Sequence, residues 1–250
     1  MDVLYIGDEK LETKHFYSGA ESIQVFRGRV EDYGPLLETL QENPDVDVTH
    51  MGGRKAKADF PDSLEDLQAY DALIISDLSR GTLMPHFEPD AIPGPNRIRI
   101  IRDFVAQGGG LIFCGGWMTY QGYHGVGNWQ GSLVEETLPV EIQPIFDDRV
   151  ERPEGADIEN VETDHPVTDG LAWDEFEPVY GYNRTGDLRE RATELASVEG
   201  ETLLAVNDYE SGRVVAYASD PGIKWGLGFI EWDDYPEFWD QTLRWVTGEA

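Results

Sequence analysis

Cysteine is nearly absent from this sequence, which contains it once, at Cys114. A single cysteine excludes an internal disulfide and any cysteine-rich zinc site, and agrees with a reducing compartment. Long apolar runs are also lacking: no window approaches the ~20 apolar residues of a membrane span, and the first residues carry no basic region. We therefore expect a cytoplasmic protein with no membrane partner.

Positive charge is scarce. The 250 residues include 19 Lys plus Arg against 49 Asp plus Glu, which gives a formal net charge of -30 and a pI near 4.2. A potential of this sign repels phosphate backbones, so nucleic acid is excluded as a partner. Because few of the basic residues are lysines and acids are spread along the chain, we expect a halophilic protein whose self-repulsion is screened by salt.

The apolar content is ordinary, at 40% of residues, and is enough to bury a full core. No internal repeat, low-complexity segment or linker interrupts the chain. We therefore expect residues 1–250 to form a single domain.

Strand and helix patterns alternate in the first half. Apolar runs that predict strands are separated by segments with apolar residues at helical spacing, as in a parallel sheet covered on both faces. The predicted strands are 2–8, 46–51, 71–77 and 111–116, and the predicted helices are 33–41, 61–70 and 94–107.

The second half is typical of antiparallel structure. Residues 202–220 predict a hairpin that turns at 210–212, and residues 235–246 predict a final helix that ends at Gly248. Residues 9–32 and 115–132 are predicted to be long loops. The fold class is thus α/β, with a mainly parallel central sheet and antiparallel additions in the C-terminal half.

In an open parallel sheet, ligands bind at the carboxyl ends of the strands. Four segments of the chain end there: 6–10, 50–55, 76–81 and 114–122. The predicted ligand-binding residues are Gly7, Asp8, Asp77, Ser79, Gly115, Gly116, Trp117 and Gln121. Asp8 and Asp77 are equally compatible with capping of loop amides. No nucleotide-binding fingerprint is present, so we predict a small-molecule ligand and no cofactor.

Cys114 lies at the end of a predicted buried strand and precedes two glycines. One interpretation is a nucleophile on a sharp strand-to-helix turn, with its pKa lowered by the helix N-terminus and an oxyanion held by the N–H groups of Gly115 and Gly116. The other is a small buried hydrophobic residue. The residues alone leave both open.

A nucleophilic cysteine needs a base within hydrogen-bond reach. His124, ten residues downstream, is the first candidate and His165 the second, while His15 and His86 lie in other predicted loops. No clustered metal-ligand spacing is present, and we predict no metal site. The adjacent residues Asp147, Asp148 and Arg149 instead predict a charge-assisted turn.

The chain resembles the class I glutamine amidotransferase-like superfamily and, within it, the putative glutamine amidotransferase family of bacteria and archaea. The resemblance extends over nearly the whole chain and is carried by stretches such as "IRDFVAQGGGLIFCGGWMTYQG", "DHPVTDGL", "SGRVVAYASD" and "FIEWDDYPEFWDQTLRW". It implies a flavodoxin-like three-layer sandwich.

The same resemblance implies a G-x-C-x-G turn and a downstream H-x-E that completes a Cys-His-Glu triad. Here Ile112 replaces the first glycine, the H-x-E at 86–88 precedes the cysteine, and Lys224 occupies a region where the family carries histidine. We therefore favour a non-catalytic or diverged member that binds a small molecule. The alternative is a thiol-dependent amide hydrolase or amidotransferase that uses Cys114 with His124 or His165.

Aromatic residues are concentrated in two parts of the chain. Those near the predicted site are Trp117, Tyr120, Tyr123 and Trp129, and those in the C-terminal segment are Trp225, Phe229, Trp232, Tyr235 and Trp239. Such residues stack on ligands or pack within or between subunits. We therefore expect them to form a homo-oligomer interface or to pack within the chain.

Overall fold

The fold is organised around one large sheet, seen in a computed structural model that describes residues 1–18, 21–84 and 94–249, without the side chains of 10–27, 29 and 30. The strands are β1 (Asp2–Gly7), β2 (Glu9–Ser18), β3 (Glu21–Glu31), β4 (Asp47–Met51), β5 (Ala72–Ser76), β6 (Gly110–Cys114), β7 (Val140–Ile142), β8 (Arg149–Ala156), β9 (Ile158–Glu159), β10 (Val179–Asn183), β11 (Thr185–Leu188), β12 (Thr193–Val198), β13 (Glu201–Tyr209) and β14 (Gly212–Tyr217). The helices are α1 (Gly34–Glu42), α2 (Gly53–Asp59), α3 (Leu64–Leu67), α4 (Arg97–Ala106), α5 (Leu227–Glu231) and α6 (Tyr235–Thr247).

The large sheet has the strand order β4-β1-β5-β6-β14-β13-β12-β9. Its first five strands are parallel, and β13, β12 and β9 extend it with antiparallel pairing. Numbered along the chain, the parallel strands follow the order 2-1-3-4-5 of flavodoxin-like folds. The predicted α/β class, with a mainly parallel sheet and antiparallel additions, is confirmed.

Burial follows from this layering. Every residue of β5 and β6, and β1 after its first residue, is buried, because helices cover both faces of the parallel part. Helix α6 packs against β14, β6 and β5 with an apolar face that includes Phe238, Leu243 and Val246. Its predicted end at Gly248 is confirmed, since Gly248 adopts a left-handed φ of 81°. Within the described ranges, no helix has the length and apolar character of a membrane span.

One predicted loop is in fact regular structure. Within residues 9–32, β2 and β3 form an antiparallel hairpin in which Glu9 pairs with Glu31 and Ser18 with Glu21. The loop prediction was wrong because charged residues interrupt the apolar alternation of both strands, so the pattern typical of a strand is weak in the sequence. Residues 115–132 contain no strand or α-helix and have a 3-10 turn at Tyr123–Gly125, as a predicted loop should.

The C-terminal aromatic residues are buried in the core of the protein. Phe229 is 1% exposed and its ring packs against those of Tyr217, Tyr235 and Phe238. Trp232 and Trp239 pack against the same ring and are buried, and Trp225 is buried as well. Near β6, Tyr120 and Trp129 are fully buried against Phe113. These rings pack in the core of the chain and are not available to a partner subunit. The homo-oligomer remains a prediction, and these buried rings do not support it.

Candidate functional site at the carboxyl edge of the sheet

The carboxyl ends of β1, β5, β6 and β14 lie side by side, since Gly7 pairs with Ser76 and Tyr217 with Cys114. Asp8 and Asp77 follow β1 and β5 with left-handed φ angles of 51° and 42°. Aspartate tolerates this conformation better than most residues. The chain therefore turns at an aspartate directly after each of these two strands, and both aspartates lie at the carboxyl edge of the sheet.

Three carboxylates meet at this edge. Asp8, Asp77 and Asp220 are 1%, 4% and 1% exposed, and one oxygen from each lies within 4.8 Å of the others. The Met118 N–H donates to Asp77 Oδ1 at 2.5 Å, and the Gly222 N–H donates to Asp220 Oδ1 at 2.7 Å. The sequence prediction is thus correct in placing Asp8 and Asp77 together, and it missed Asp220.

Asp8 is buried with a hydrogen bond to only one of its two carboxylate oxygens. Its Oδ2 accepts a hydrogen bond from the Tyr5 hydroxyl, while its buried Oδ1 has no hydrogen-bond partner. Burial raises the pKa of Asp8 well above the ordinary carboxyl value, and the charges of Asp220 and Asp77 raise it further. This carboxylate therefore favours either a proton or a bound cation.

Cys114 is also buried, at 0% exposure. The chain does not enter a helix after β6, so the predicted strand-to-helix turn is wrong. Without a helix N-terminus nothing lowers the thiol pKa; burial raises the pKa of Cys114 well above its usual value, and the charges of Asp8 and Asp220 add to this. The environment favours the neutral thiol.

The two glycines that follow Cys114 have their N–H groups occupied. Gly115 donates to the carbonyl oxygens of Tyr217 and Ser219 at 2.7 and 2.9 Å, and Gly116 donates to Asn183 Oδ1 at 2.9 Å. Neither N–H group points to a position where an oxyanion would bind, contrary to the oxyanion-hole prediction. A Cβ on Gly116 would lie 2.7 Å from Asp77 Oδ1, so glycine is needed there for close packing.

The candidate histidines pack elsewhere. The exposed His124 ring stacks on Tyr123 and Phe146, with ring centroids 3.9 and 5.3 Å apart. His165 packs edge-on against Trp245 at 5.2 Å, near Arg213 at the amino end of β14 and so at the opposite edge from Cys114. His86 and the side chain of His15 lie outside the described residues. The structure does not bring His124 or His165 to Cys114.

The predicted charge-assisted turn at residues 147–149 is confirmed. Arg149 binds both oxygens of Asp147 through Nε and Nη2, at 2.9 and 3.0 Å. The fully buried Asp148 accepts hydrogen bonds from the N–H groups of Gln121 and Gly122, each at 2.8 Å, and from Asn183 Nδ2 at 2.9 Å. This network fixes the loop that follows β6.

The remaining predicted site residues lie around this network or beside it. Trp117 is 36% exposed and stacks under the Arg149 guanidinium at 4.4 Å. Gln121 donates through Nε2 to the Ile145 carbonyl at 3.1 Å. Ser79 lies 3.1 Å from the Thr82 hydroxyl, and Gly7 turns the chain into Asp8 with a φ of 119°. Gly7 thus adjoins the Asp8 carboxylate in the chain, and the Gln121 N–H donates to Asp148.

A cavity of about 480 Å³ opens on the β1–β4 side of the same edge. It is lined by Glu9, Tyr33, His50, Gly52, Arg54, Lys55 and Asp59. His50 Nε2 lies 3.1 Å from the Gly7 carbonyl oxygen, and the ring packs against Tyr33 at 4.1 Å. Burial lowers the pKa of His50, so the ring is neutral near pH 7. The cavity falls in one of the predicted strand-end segments, residues 50–55.

The predicted ligand-binding residues include neither Asp220 and Asn183 at this edge nor any residue that lines the cavity. A signal for Asp220 was present, because a Ser-Asp pair stands at 219–220, shortly after β14, as another stands at 76–77, where β5 ends. That parallel becomes visible once β14 is placed beside β6 as a parallel strand. Asn183 had no such signal, since it reaches the site from β10 in a separate small sheet.

Comparison with known families gives a match over nearly the whole chain. A family model described as "Putative glutamine amidotransferase" matches residues 2–248. Among curated proteins, none matches the sequence.

Solved structures provide relatives of the same size. Two cytoplasmic proteins of Salmonella typhimurium are 30% and 31% identical to this chain, each with a TM-score of 0.90, 98% of this chain covered and 99% of theirs. A ThuA-like protein of Parabacteroides merdae is 11% identical with a TM-score of 0.55, covering 100% of this chain and 90% of its own. That third likeness shows the fold alone.

Proposed function

Since this chain belongs to the putative glutamine amidotransferase family, we propose that it is a member that binds a small molecule and does not use Cys114 as a nucleophile. The observation that carries this proposal is the state of Cys114. Its thiol is fully buried, burial raises its pKa, and both following N–H groups already donate to protein acceptors. A catalytic thiolate needs an accessible thiol with a lowered pKa, and an oxyanion hole needs N–H groups that are not already bonded.

The ligand of this proposal binds in the cavity beside β1 and β4. A volume of about 480 Å³ is within the usual range of small-molecule sites. Arg54 and Lys55 suit a carboxylate or phosphate group, and Glu9 and Asp59 suit an ammonium group or hydroxyls. We propose a polar metabolite that carries groups of both kinds, bound in the segment at 50–55 that the strand-end pattern predicted.

Alkylation of Cys114 by iodoacetamide, read by intact mass, tests the catalytic half of the proposal. We expect no labelling of the folded protein near neutral pH and one label after unfolding, because the thiol has no exposed surface. Ser79→Cys is the matched control, since Ser79 is half-buried at the same edge and a thiol there should label in the folded protein. Rapid labelling of folded wild type would favour the thiol-dependent amide hydrolase instead.

Ligand binding tests the other half. A thermal-shift screen of metabolites that combine acidic and amino groups should yield a stabilising compound. Arg54→Ala should abolish its effect, and Cys114→Ala should retain it. Arg184→Ala is the control, because this exposed arginine lies outside the cavity. A ligand whose effect survives Arg54→Ala but is lost in Cys114→Ala would contradict the assigned position.

We also propose a cytoplasmic location. The two Salmonella relatives are described as cytoplasmic proteins, and the single buried cysteine needs no oxidising compartment. Cell fractionation of the tagged chain should recover it with cytosolic markers. Recovery with membranes would contradict this location.

A further inference from the structure

We propose that Asp8, Asp77 and Asp220 together bind one hard divalent cation, separately from the small-molecule cavity. The three carboxylates follow β1, β5 and β14, so each is held by a different strand of the parallel sheet. Asp8 and Asp77 flank the point at which the strand order reverses, where folds of this class place ligands. The sheet therefore holds the three carboxylates, which are far apart in the sequence, in a fixed arrangement.

The spacing of the oxygens matches a cation. One oxygen from each carboxylate lies within 4.8 Å of the other two. Oxygens on opposite sides of Ca²⁺, at ~2.4 Å each, are about 4.8 Å apart, and around Mg²⁺, at ~2.1 Å each, about 4.2 Å apart. Since 4.8 Å is the upper limit on these separations, the three oxygens lie close enough together to share one ion of either size.

A second, independent observation points to a ligand. Asp8 is 1% exposed, and its Oδ1 has no hydrogen-bond partner. Buried carboxylate oxygens without a donor are costly and rare in folded proteins. The Tyr5 hydroxyl holds Oδ2, so Oδ1 is the Asp8 atom available to a cation. A cation there would coordinate Asp8 Oδ1 and would also balance the negative charge of the carboxylate.

The donor set selects the class of cation. Among the residues that the structure describes, the cluster contains three carboxylates and no imidazole, and the adjacent Cys114 is held as a neutral thiol. Soft and borderline metals prefer thiolate or imidazole ligands, whereas Mg²⁺, Mn²⁺ and Ca²⁺ prefer oxygen. Lys224 pairs with Asp32 at 3.2 Å, and the Asp32 N–H donates to the Asp8 carbonyl oxygen, so a charged pair adjoins the cluster.

Titration of chelator-treated full-length protein with Mn²⁺, followed by the electron paramagnetic resonance signal of free Mn²⁺, tests this site. The buffer holds about 1 M KCl, where a Debye length of ~3 Å suppresses weak binding to surface acids. We expect one Mn²⁺ per chain, displaced by Ca²⁺ or Mg²⁺. Asp77→Asn should weaken binding roughly tenfold or more, because affinity falls with the number of charged ligands.

Asp71→Asn is the matched control. Asp71 precedes β5 and accepts from the Asp2 N–H at the opposite edge, so this variant should bind Mn²⁺ like wild type. Asp8→Asn provides a second test that keeps the fold, since asparagine also adopts a left-handed φ. Equal Mn²⁺ binding by wild type, Asp77→Asn and Asp8→Asn, or no stoichiometric binding by wild type, would overturn the proposal.

The outcomes also separate this site from the proposed function. Loss of Mn²⁺ binding leaves the cavity ligand and the buried Cys114 unaffected, because Arg54 and the other cavity residues are not cation ligands. Conversely, a reactive Cys114 would overturn the proposed function while one Mn²⁺ per chain would still support the cation site.

Discussion

Two polar clusters share the carboxyl edge of the sheet, and they differ in how their carboxylates are satisfied. Asp148, 0% exposed, accepts hydrogen bonds from Gln121 N–H, Gly122 N–H and Asn183 Nδ2. Asp8, 1% exposed, accepts one on Oδ2 and none on Oδ1. Equal burial therefore accompanies two roles: a fully bonded carboxylate holds a loop in place, and an incompletely bonded one is available to a ligand.

The groups around Asp148 and Asp8 also act differently on the pKa of each carboxyl group. Burial raises the pKa of both, but N–H donors oppose the rise at Asp148, whereas the neighbouring charges of Asp220 and Asp77 reinforce it at Asp8. Donors stabilise a buried anion and other anions destabilise it. The comparison predicts that mutations at the two sites should change stability in opposite directions.

Removal of the bonded carboxylate should have the largest effect. Asp148→Ala leaves the N–H groups of Gln121 and Gly122 and the amide of Asn183 without their acceptor, and should lower the free energy of unfolding by about 3 kcal/mol or more. Urea unfolding measures this change. Asp187→Ala, an exposed aspartate on β11, is the control and should stay within about 0.5 kcal/mol of wild type. A loss below about 1 kcal/mol for Asp148→Ala would remove the distinction between the clusters.

Addition of a methyl group at Gly116, between the two clusters, should have the next largest effect on the free energy of unfolding. Gly116 has a φ of +137°, and a Cβ there would lie 2.7 Å from Asp77 Oδ1, so Gly116→Ala should cost about 2 to 3 kcal/mol. Gly28→Ala is the matched control, since Gly28 has a similar φ of +124° but no atom of the described residues within 4 Å of its Cβ position, and should cost about 1 kcal/mol. Urea unfolding of both variants separates overlap from backbone strain; equal losses would contradict the close packing.

Neutralising the incompletely bonded acid should stabilise the cation-free protein. Asp8→Asn removes a buried like charge but keeps an oxygen for the Tyr5 hydroxyl, and in chelator should raise the free energy of unfolding by about 1 kcal/mol. Thermal melts measure the change. With saturating Mn²⁺ the order should reverse, because only wild type binds the ion fully. Destabilisation by Asp8→Asn in chelator would show that the carboxylate is satisfied without a cation.

The same melts at low and high KCl distinguish this buried cluster from the acidic surface. We expect high salt to raise the melting temperature of wild type, as for a halophilic protein with a net charge of -30. The difference between Asp8→Asn and wild type should persist, since salt screens buried pairs weakly. A melting temperature of wild type that does not respond to salt would contradict the halophilic prediction.

The smallest expected effect is a pH dependence from two histidines, one at each edge of the sheet. Burial lowers the pKa of His50 and of His165, so the folded state favours the neutral ring. Below pH 6.5 the unfolded chain takes up these protons first, and stability should fall as pH decreases from 7 to 5. His50→Gln and His165→Gln should each reduce that slope in urea unfolding measured across this range. A slope unchanged in both variants would contradict the lowered pKa values.

Much of this edge was predictable from local sequence. Apolar runs that end in Gly-Asp or Ser-Asp placed Asp8 and Asp77 at the ends of β1 and β5, and the parallel sheet brought them together. The hairpin of β2 and β3 was missed because its charged residues hide the alternation. Asp220 was missed because its strand, β14, was seen only as half of a hairpin and not as a parallel neighbour of β6.

The sequence by itself determined the α/β sheet, because buried parallel strands require continuous apolar runs and the helices between them require apolar residues at helical spacing. It also determined that an acid follows β1 and β5. Only the tertiary structure decided the state of Cys114, since the acceptors of the following N–H groups come from β10 and the end of β14, and the nearby charges come from Asp8 after β1 and Asp220 after β14. It alone decided that Asp148 is bonded and Asp8 Oδ1 is not, because hydrogen bonding depends on distances that local sequence does not encode.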